Sequence, residues 1–380
     1  MPRERKRTVD LSLFVAAVLV VAGILALEVG ISTAITEIVA GVLLTLFVDT
    51  SGLGWLDFLA HFGLLGLMFM AGFEVDPNVA RRRWASSAGI GAFSFLVPFG
   101  GVFLACWWGF GLSAVVAALL GIGLSTTSLA LVYGFLRERE LLGGDGGQMV
   151  LGAAMVVDLL SMIGLALLLG DLGWATAIFV LGAVPAFIGL PRLGAWIFER
   201  YGGGAAEFEL RFLLLILVGL GVLSERVGIH AAVVSFVAGL VLSETVQDHE
   251  ALEEKLKGVV FSFFAPVFFL KAGTSLDVRG IDLEGAVLTG VLFAIAVGLK
   301  YAATAGAAYV FAPALAHFAG VLFNYRLSFG IITATVGLQV GLLDQQLFGA
   351  ILLVVLLSAA LPMLLLRDLP SELTRRRRKR

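Results

Sequence analysis

The chain has 380 residues, 59% of them hydrophobic and only 14% charged, with a mean hydropathy of +1.01. A soluble domain carries roughly 25% charged residues and about 45–50% apolar ones. This chain therefore lacks the charge to coat a water-facing surface, and its apolar excess must face lipid. The net charge of −2 names no partner, and one cysteine, Cys106, excludes an intrachain disulfide and supports no metal site.

Crossing about 30 Å of hydrocarbon takes roughly 20 apolar residues. Thirteen runs meet or approach that length: 11–27, 31–48, 57–75, 85–107, 112–136, 147–170, 173–190, 209–225, 228–243, 258–275, 284–311, 324–342 and 346–366. Backbone groups in lipid must pair within the structure that spans it, so runs of this kind are helices rather than barrel strands. The expected fold is an all-α polytopic membrane protein of about 13 transmembrane helices, with a basic tail at 1–10, a membrane domain at 11–366 and a basic tail at 367–380. The first run follows Arg3, Arg5, Lys6 and Arg7, but no small-residue cleavage site succeeds it, so it reads as a span rather than a signal peptide.

Taken in order, the spans differ in what polar groups they carry. Span two holds Glu37 near its end, open between a gating role and a helix contact. Span three ends at Glu74 and Asp76, which read as solvated interface residues. Span five contains Gly121-Ile-Gly-Leu-Ser125-Thr126-Thr127-Ser128, where four hydroxyls after two glycines favour local backbone bonding over continued helix. Span six holds Asp158 near its middle, with no other ionisable residue between Asp145 and Asp171. His230 reads as a helix start, and Lys271, near an end of span ten, can snorkel. Span eleven holds Lys300 centrally. Span twelve carries Thr333-Ala-Thr335-Val-Gly337-Leu-Gln339-Val-Gly341, polar and glycine-interrupted, with Arg326 near its start and able to snorkel.

A charge at the centre of a membrane helix costs about 2.5–3.5 kcal/mol on insertion scales, which marks Asp158 and Lys300 as functional. Desolvation pushes a buried carboxylate towards its neutral form and a nearby cation pushes it back, so Asp158 can hold either a proton or a metal ion. Lys300 can pair with Asp158, compete with a bound cation, or bond the broken backbone of a half-helix. Thirteen spans parse as six, one and six, with a first repeat at 11–170, a linker helix at 173–190 and a second repeat at 209–366. An odd linker inverts the second half, and interruptions at equivalent places in the two halves point to a transport site at mid-membrane.

Lysine and arginine in the loops set orientation. One side holds Arg81, Arg82, Arg83, Arg137, Arg139, Arg192, Arg200, Lys255, Lys257 and the basic run 375–380, and the other only Arg226 and Arg279, so the C-terminus is expected in the cytoplasm. The 375–380 run reads as a contact for anionic lipid headgroups rather than nucleic acid. No Gly-rich phosphate loop, HExxH helix or nucleophile elbow is present, so no enzyme chemistry and no cofactor is expected.

These residues resemble the monovalent cation:proton antiporter superfamily, in its bacterial and archaeal branch of sodium/proton exchangers and Kef-type potassium/proton antiporters. The likeness rests on Thr36-Glu37-Ile-Val-Ala-Gly41, Gly66-Leu-Met-Phe-Met-Ala-Gly72-Phe-Glu74-Val-Asp76, Leu151-Gly-Ala-Ala-Met-Val-Val157-Asp158, the stretch 228–243, and Phe264-Ala-Pro266 through Gly273 to Asp277. It implies two inverted repeats, a mobile core, a scaffold that forms a homodimer, and crossed, unwound helices at spans five and twelve. It implies H⁺ exchange for Na⁺ or K⁺ in the plasma or inner membrane, with Asp158 the shared proton and cation site, Ser125, Thr126 and Thr127 beside it, Lys300 the core charge partner, and Thr333, Thr335 and Gly337 in the second discontinuous helix. Val157 replaces the first carboxylate of the family's paired-Asp motif, Ser328 stands where an acidic partner is common, and Lys271 where an apolar residue is usual. One remaining carboxylate points to one proton per cation. The Kef-type nucleotide-sensing domain is not seen after span thirteen, which suggests a separate regulatory subunit. Two other readings stay open: a potassium channel-like efflux subunit, and a sodium-coupled symporter of a small organic anion.

Overall fold

The computed structural model describes residues 2–29, 31–48, 53–73, 84–138, 141, 145–170, 174–201, 208–225, 231–247, 250–276 and 283–366. Glu74, Asp76, Arg81, Arg82, Arg83, Arg139, Arg226, His230, Arg279 and the tail 367–380 lie outside them. The described residues form helices joined by short connections, with no strand among them. In chain order they form α1 (Pro2–Val29), α2 (Thr33–Phe47), α3 (Gly54–Phe73), α4 (Trp84–Leu104), α5 (Ala114–Ser125), α6 (Leu129–Glu138), α7 (Asp145–Leu169) and α8 (Trp174–Tyr201). They continue with α9 (Phe208–Glu225), α10 (Ala231–Gln247), α11 (Glu250–Val259), α12 (Ala265–Thr274), α13 (Leu283–Phe311), α14 (Ala316–Leu322), α15 (Leu327–Gln339) and α16 (Gln345–Leu365). Wide π-type turns extend α4 through Ala105–Gly109 and join α11 to α12 through Val260–Phe264. Cys106 lies buried in the first of these turns, a packing residue.

Among the described residues, seven helical stretches are long and apolar enough to cross a membrane, and five shorter apolar ones accompany them. The short ones include the pieces of both interrupted spans, so length alone does not return the expected thirteen. Local signals set several ends. Ser113 caps α5 by accepting from the Val116 N–H at 3.3 Å, and Asp344 caps α16 by accepting from the Leu347 N–H at 2.8 Å. Gly341 closes the end of α15 with φ of 73°, a left-handed conformation that glycine adopts without steric cost.

The chain divides into two compact units, residues 1–73 with 171–279, and residues 74–170 with 280–380. In the first unit α3 packs along α10, and α2 along α12. Both crossings are glycine to glycine. A Cβ on Gly72 would run into the Phe236 carbonyl, and one on Gly239 into the Phe69 carbonyl. A Cβ on Gly41 would meet the Leu270 carbonyl, and one on Gly273 the Ile38 carbonyl. The sequence around them repeats: Val39-Ala-Gly41 matches Val237-Ala-Gly239, and Ala71-Gly72 with Asp76 four residues on matches Ala272-Gly273 with Asp277. Each motif of the first half thus crosses the other motif of the second half, as a two-fold internal repeat requires. Close backbone approach through small residues is how membrane helices gain packing energy without a hydrophobic drive. Glu37 is buried one turn from the Gly41 crossing. Lys271, in the last turn of α12, pairs with Asp57 at 2.6 Å, in the first turn of α3.

In the second unit α4 is central, packing on α5, α7 and α13. Polar contacts register these helices: the Thr304 hydroxyl donates to Ser94 Oγ at 2.7 Å, and the Ser87 hydroxyl to the Met149 carbonyl at 3.2 Å. The α15 helix packs on α5 and α16.

The α3–α10 crossing yields a direct test. Gly239→Val should lower thermal stability by about 1–3 kcal/mol, the cost of overpacking a closed contact. Gly219→Ala, where no atom stands within 4 Å of the added methyl, should leave the midpoint unchanged or raise it, since alanine favours helix by about 1 kcal/mol. Thermal unfolding of both variants in detergent, followed by size-exclusion chromatography, checks this.

Candidate functional site

Two helices of the second unit stop in mid-course. The first break falls after Ser125, where α5 ends, Thr126 is extended (φ −66°, ψ 166°), and α6 resumes at Leu129. The second falls between α14, ending at Leu322, and α15, starting at Leu327. A helix C-terminus leaves four carbonyls without an intrahelical donor, and an N-terminus leaves four N–H groups without an acceptor. Buried in a membrane protein, those groups must be paired by other parts of the chain.

The two breaks pair with each other. The Ser128 N–H donates to the Tyr325 carbonyl at 2.5 Å, and the Thr127 hydroxyl to the Phe323 carbonyl at 3.1 Å. The Thr126 hydroxyl turns back to the Gly123 carbonyl at 3.1 Å, and Asn324 Nδ2 donates to the Gly320 carbonyl at 2.9 Å. Close approach is possible because Gly123 and Gly330 face one another's helices: a Cβ on Gly330 would stand 3.3 Å from the Gly123 carbonyl. The crossing expected of spans five and twelve is therefore present.

Two cationic side chains complete it. Lys300, wholly buried on α13, donates from Nζ to the Ser125 carbonyl at 2.6 Å. Its ammonium meets the negative end of the α5 dipole and lies 5.9 Å from the centroid of the Phe323 ring, within cation–π range. Of the roles open to Lys300, bonding broken backbone is observed. Arg326, also wholly buried, donates from Nη2 to the Ala296 carbonyl at 2.6 Å and to Asn324 Oδ1 at 3.0 Å. Its Nε and Nη1, together with Ser125 Oγ and Thr335 Oγ1, are buried without a hydrogen-bond partner among the described residues.

Asp158 is buried on α7, which packs on α5. Asp158 and Arg326 both act electrostatically on Lys300. Val157, its neighbour in the chain, is fully buried. Among the described residues, no trio of His, Cys, Asp or Glu side chains is grouped to hold a metal. A cation here would draw on one carboxylate with backbone carbonyls and hydroxyls, the oxygen ligands that suit a hard ion.

The structure thus brings together Ser125, Thr126, Thr127, Lys300 and, one helix away, Asp158. It corrects two expectations. Arg326 does not snorkel, because the apolar stretch 312–323 is not a loop: it holds α14, so Arg326 sits at a break inside the protein. The second interruption is also not at Thr333, Thr335 and Gly337, which lie within the unbroken α15. Thr333 bonds the Phe329 carbonyl at 2.9 Å, a within-helix pattern, and packs its methyl group 3.2 Å from a Cβ built on Gly123. Gly337 makes room for Leu119 and Leu343. Glycine and threonine there serve packing, while Asn324 and Arg326 make the break. The signal that would have found it was Asn324-Tyr-Arg326, polar residues inside a long apolar stretch.

Residues 14–367 match the family described as sodium/hydrogen exchanger, transmembrane. A relative named probable Na⁺/H⁺ antiporter 3, from Methanocaldococcus jannaschii, is 29% identical over 80% of this chain and 81% of its own length. The Na⁺/H⁺-K⁺ antiporter GerN of Bacillus cereus is 26% identical over 90% of this chain and 92% of its own. The fold is that of the sodium proton antiporter MjNhaP1 from Methanocaldococcus jannaschii, with a TM-score of 0.70 over 95% of this chain and 99% of that one at 13% identity. With the match running almost end to end over a helical, multi-pass membrane structure, the chain belongs to the transmembrane sodium/hydrogen exchanger family, a secondary transporter rather than an enzyme.

Proposed function

We propose that this protein exchanges protons for a monovalent cation, Na⁺ or K⁺, by alternating access, with Asp158 holding either one. The observation that carries the proposal is a buried carboxylate beside two broken helices whose ends are already tied by Lys300 and Thr127. A bare carboxylate away from water is costly, so it carries a proton or sits against a cation. Proton and cation therefore exclude one another at a single group, and that exclusion couples their fluxes. Ser125 Oγ, buried and unpartnered, is available as a further ligand. The names of the relatives support the proton and sodium parts, and that of GerN extends the cation to potassium.

With Val157 beside it, Asp158 is the one carboxylate of the paired motif, so one proton leaves for each cation that enters and exchange moves no net charge. The second unit, which holds the site, acts as the moving core, and the first as a dimerising scaffold. The basic loops support a cytoplasmic C-terminus in the plasma or inner membrane. A sodium-coupled symporter of an organic anion is the second reading, favoured by the buried Arg326 with its open Nε and Nη1.

Proteoliposomes carrying a pH-sensitive dye test these statements. Adding Na⁺, K⁺ or Li⁺ outside should trigger a pH change that Asp158→Asn reduces to the level of empty liposomes. An Asp158→Asn protein with full exchange contradicts the proposal, and flux insensitive to a pH gradient favours the channel. Clamping the membrane potential at zero, or at either sign, should leave the wild-type rate unchanged within about twofold. A rate that follows the potential would mean that charge moves and that Lys300 gives up a proton in the cycle.

A further inference from the structure

A threonine inside a helix can bond the carbonyl four residues back, as Thr289 of α13 does with Gly285 at 2.7 Å and Thr333 of α15 with Phe329 at 2.9 Å. Thr304, also on α13, would find the Lys300 carbonyl in that place. It donates instead to Ser94 Oγ on α4 at 2.7 Å, with both residues wholly buried. Residues four apart stand one above the other on a helix face, so this cross-helix bond lies one turn from Lys300. Leu299 is held as well, in a notch of α4: a Cβ on Gly101 would run into its Cδ1. In the chain, Lys300 thus falls between a steric and a polar attachment of α13 to α4.

The same helix seats α7. A Cβ on Gly91 would run into the Ala153 carbonyl and the Val156 side chain, close in sequence to Asp158. One uncharged helix, Trp84–Leu104, therefore holds the backbones that carry Asp158 and Lys300. A lysine ends in a point charge on a flexible four-carbon stem, so the position of its backbone decides whether its ammonium stays 2.6 Å from the Ser125 carbonyl. Released, that ammonium is drawn to Asp158, with which it interacts electrostatically, and competes there with a monovalent cation. We propose that Thr304 and Ser94 are positioning residues for exchange: their hydroxyl pair holds Lys300 on the end of α5 and so keeps it from competing with the cation at Asp158. The proposal rests on the function given above, with Asp158 as the cation site.

Two measurements on the full-length protein test this. In proteoliposomes, Thr304→Val, which replaces the hydroxyl by a methyl of similar size, should raise the KM for the transported cation about threefold or more, with the maximal rate within about twofold of wild type. Ser94→Ala should do the same, and Thr304→Ser, which keeps the donor, should restore the wild-type KM. An unchanged KM, a fall in maximal rate alone, or a Thr304→Ser protein as impaired as Thr304→Val would overturn the proposal. If Thr304→Val elutes as an aggregate, Ser94→Ala decides in its place. Thermal unfolding midpoints in detergent supply the second measurement, for Thr304→Val (or Ser94→Ala in its place), Lys300→Gln and the double variant. Loss of the hydroxyl already frees Lys300, so the double shift should fall short of the sum of the single shifts, and simple additivity would overturn the proposal. A wild-type protein that exchanges no cation would contradict the function given above, and the midpoints would then decide the positioning alone.

Discussion

A lysine ammonium set 2.6 Å from the last carbonyl of a half-helix is the contact on which the second unit depends. Membrane interiors do not tolerate open backbone groups, yet two helices of the second unit stop midway. The contradiction is resolved by supplying partners from elsewhere in the chain. Lys300 takes the end of α5, Thr127 and Ser128 take the end of α14, and Asn324 closes α14 from within. Burying a lysine at this depth costs about 2.5–3.5 kcal/mol on insertion scales, and a hydrogen bond to a charged group returns about 1.5–3 kcal/mol. The two are of similar size, so the charge is tolerated because the break exists and the break because the charge is there.

Electrostatics then follow. Among the described residues, the second unit buries two basic side chains, Lys300 and Arg326, and one carboxyl group, Asp158. Arg326 spends one nitrogen on the Ala296 carbonyl and Asn324, leaving two without partners. Val157, beside Asp158, is apolar and fully buried, so it adds no second acidic group.

Much of this was legible in the residues, for identifiable reasons. Asp158 and Lys300 stood out because charge is rare at mid-span. The first break was legible because Ser125 to Ser128 present four hydroxyls after two glycines. The second was misplaced because Thr333 and Gly337 carry the same residue types for another purpose: threonine can bond its own helix, and glycine can seat a neighbour. The stretch 312–323 falls between the expected spans eleven and twelve although its composition is apolar, and that gap places Arg326 at a membrane edge it does not occupy. The Lys271–Asp57 pair was invisible because the partners lie on helices distant in sequence. The glycine crossings of the first unit were written in the chain as a repeat, Val-Ala-Gly and Ala-Gly-x-x-x-Asp in each half. That repeat becomes informative only once each motif is seen against its opposite.

The central claim is that one carboxylate at a crossing of broken helices holds a proton and a cation by turns. Isothermal titration calorimetry of the purified protein with Na⁺, Li⁺ and K⁺, run in buffers of different ionisation enthalpy, measures it most directly. The account predicts close to one proton released per cation bound, an affinity that weakens about tenfold per pH unit once the site is mainly protonated, and no binding by Asp158→Asn. Cation binding with no proton release, or binding that survives in Asp158→Asn, would contradict it.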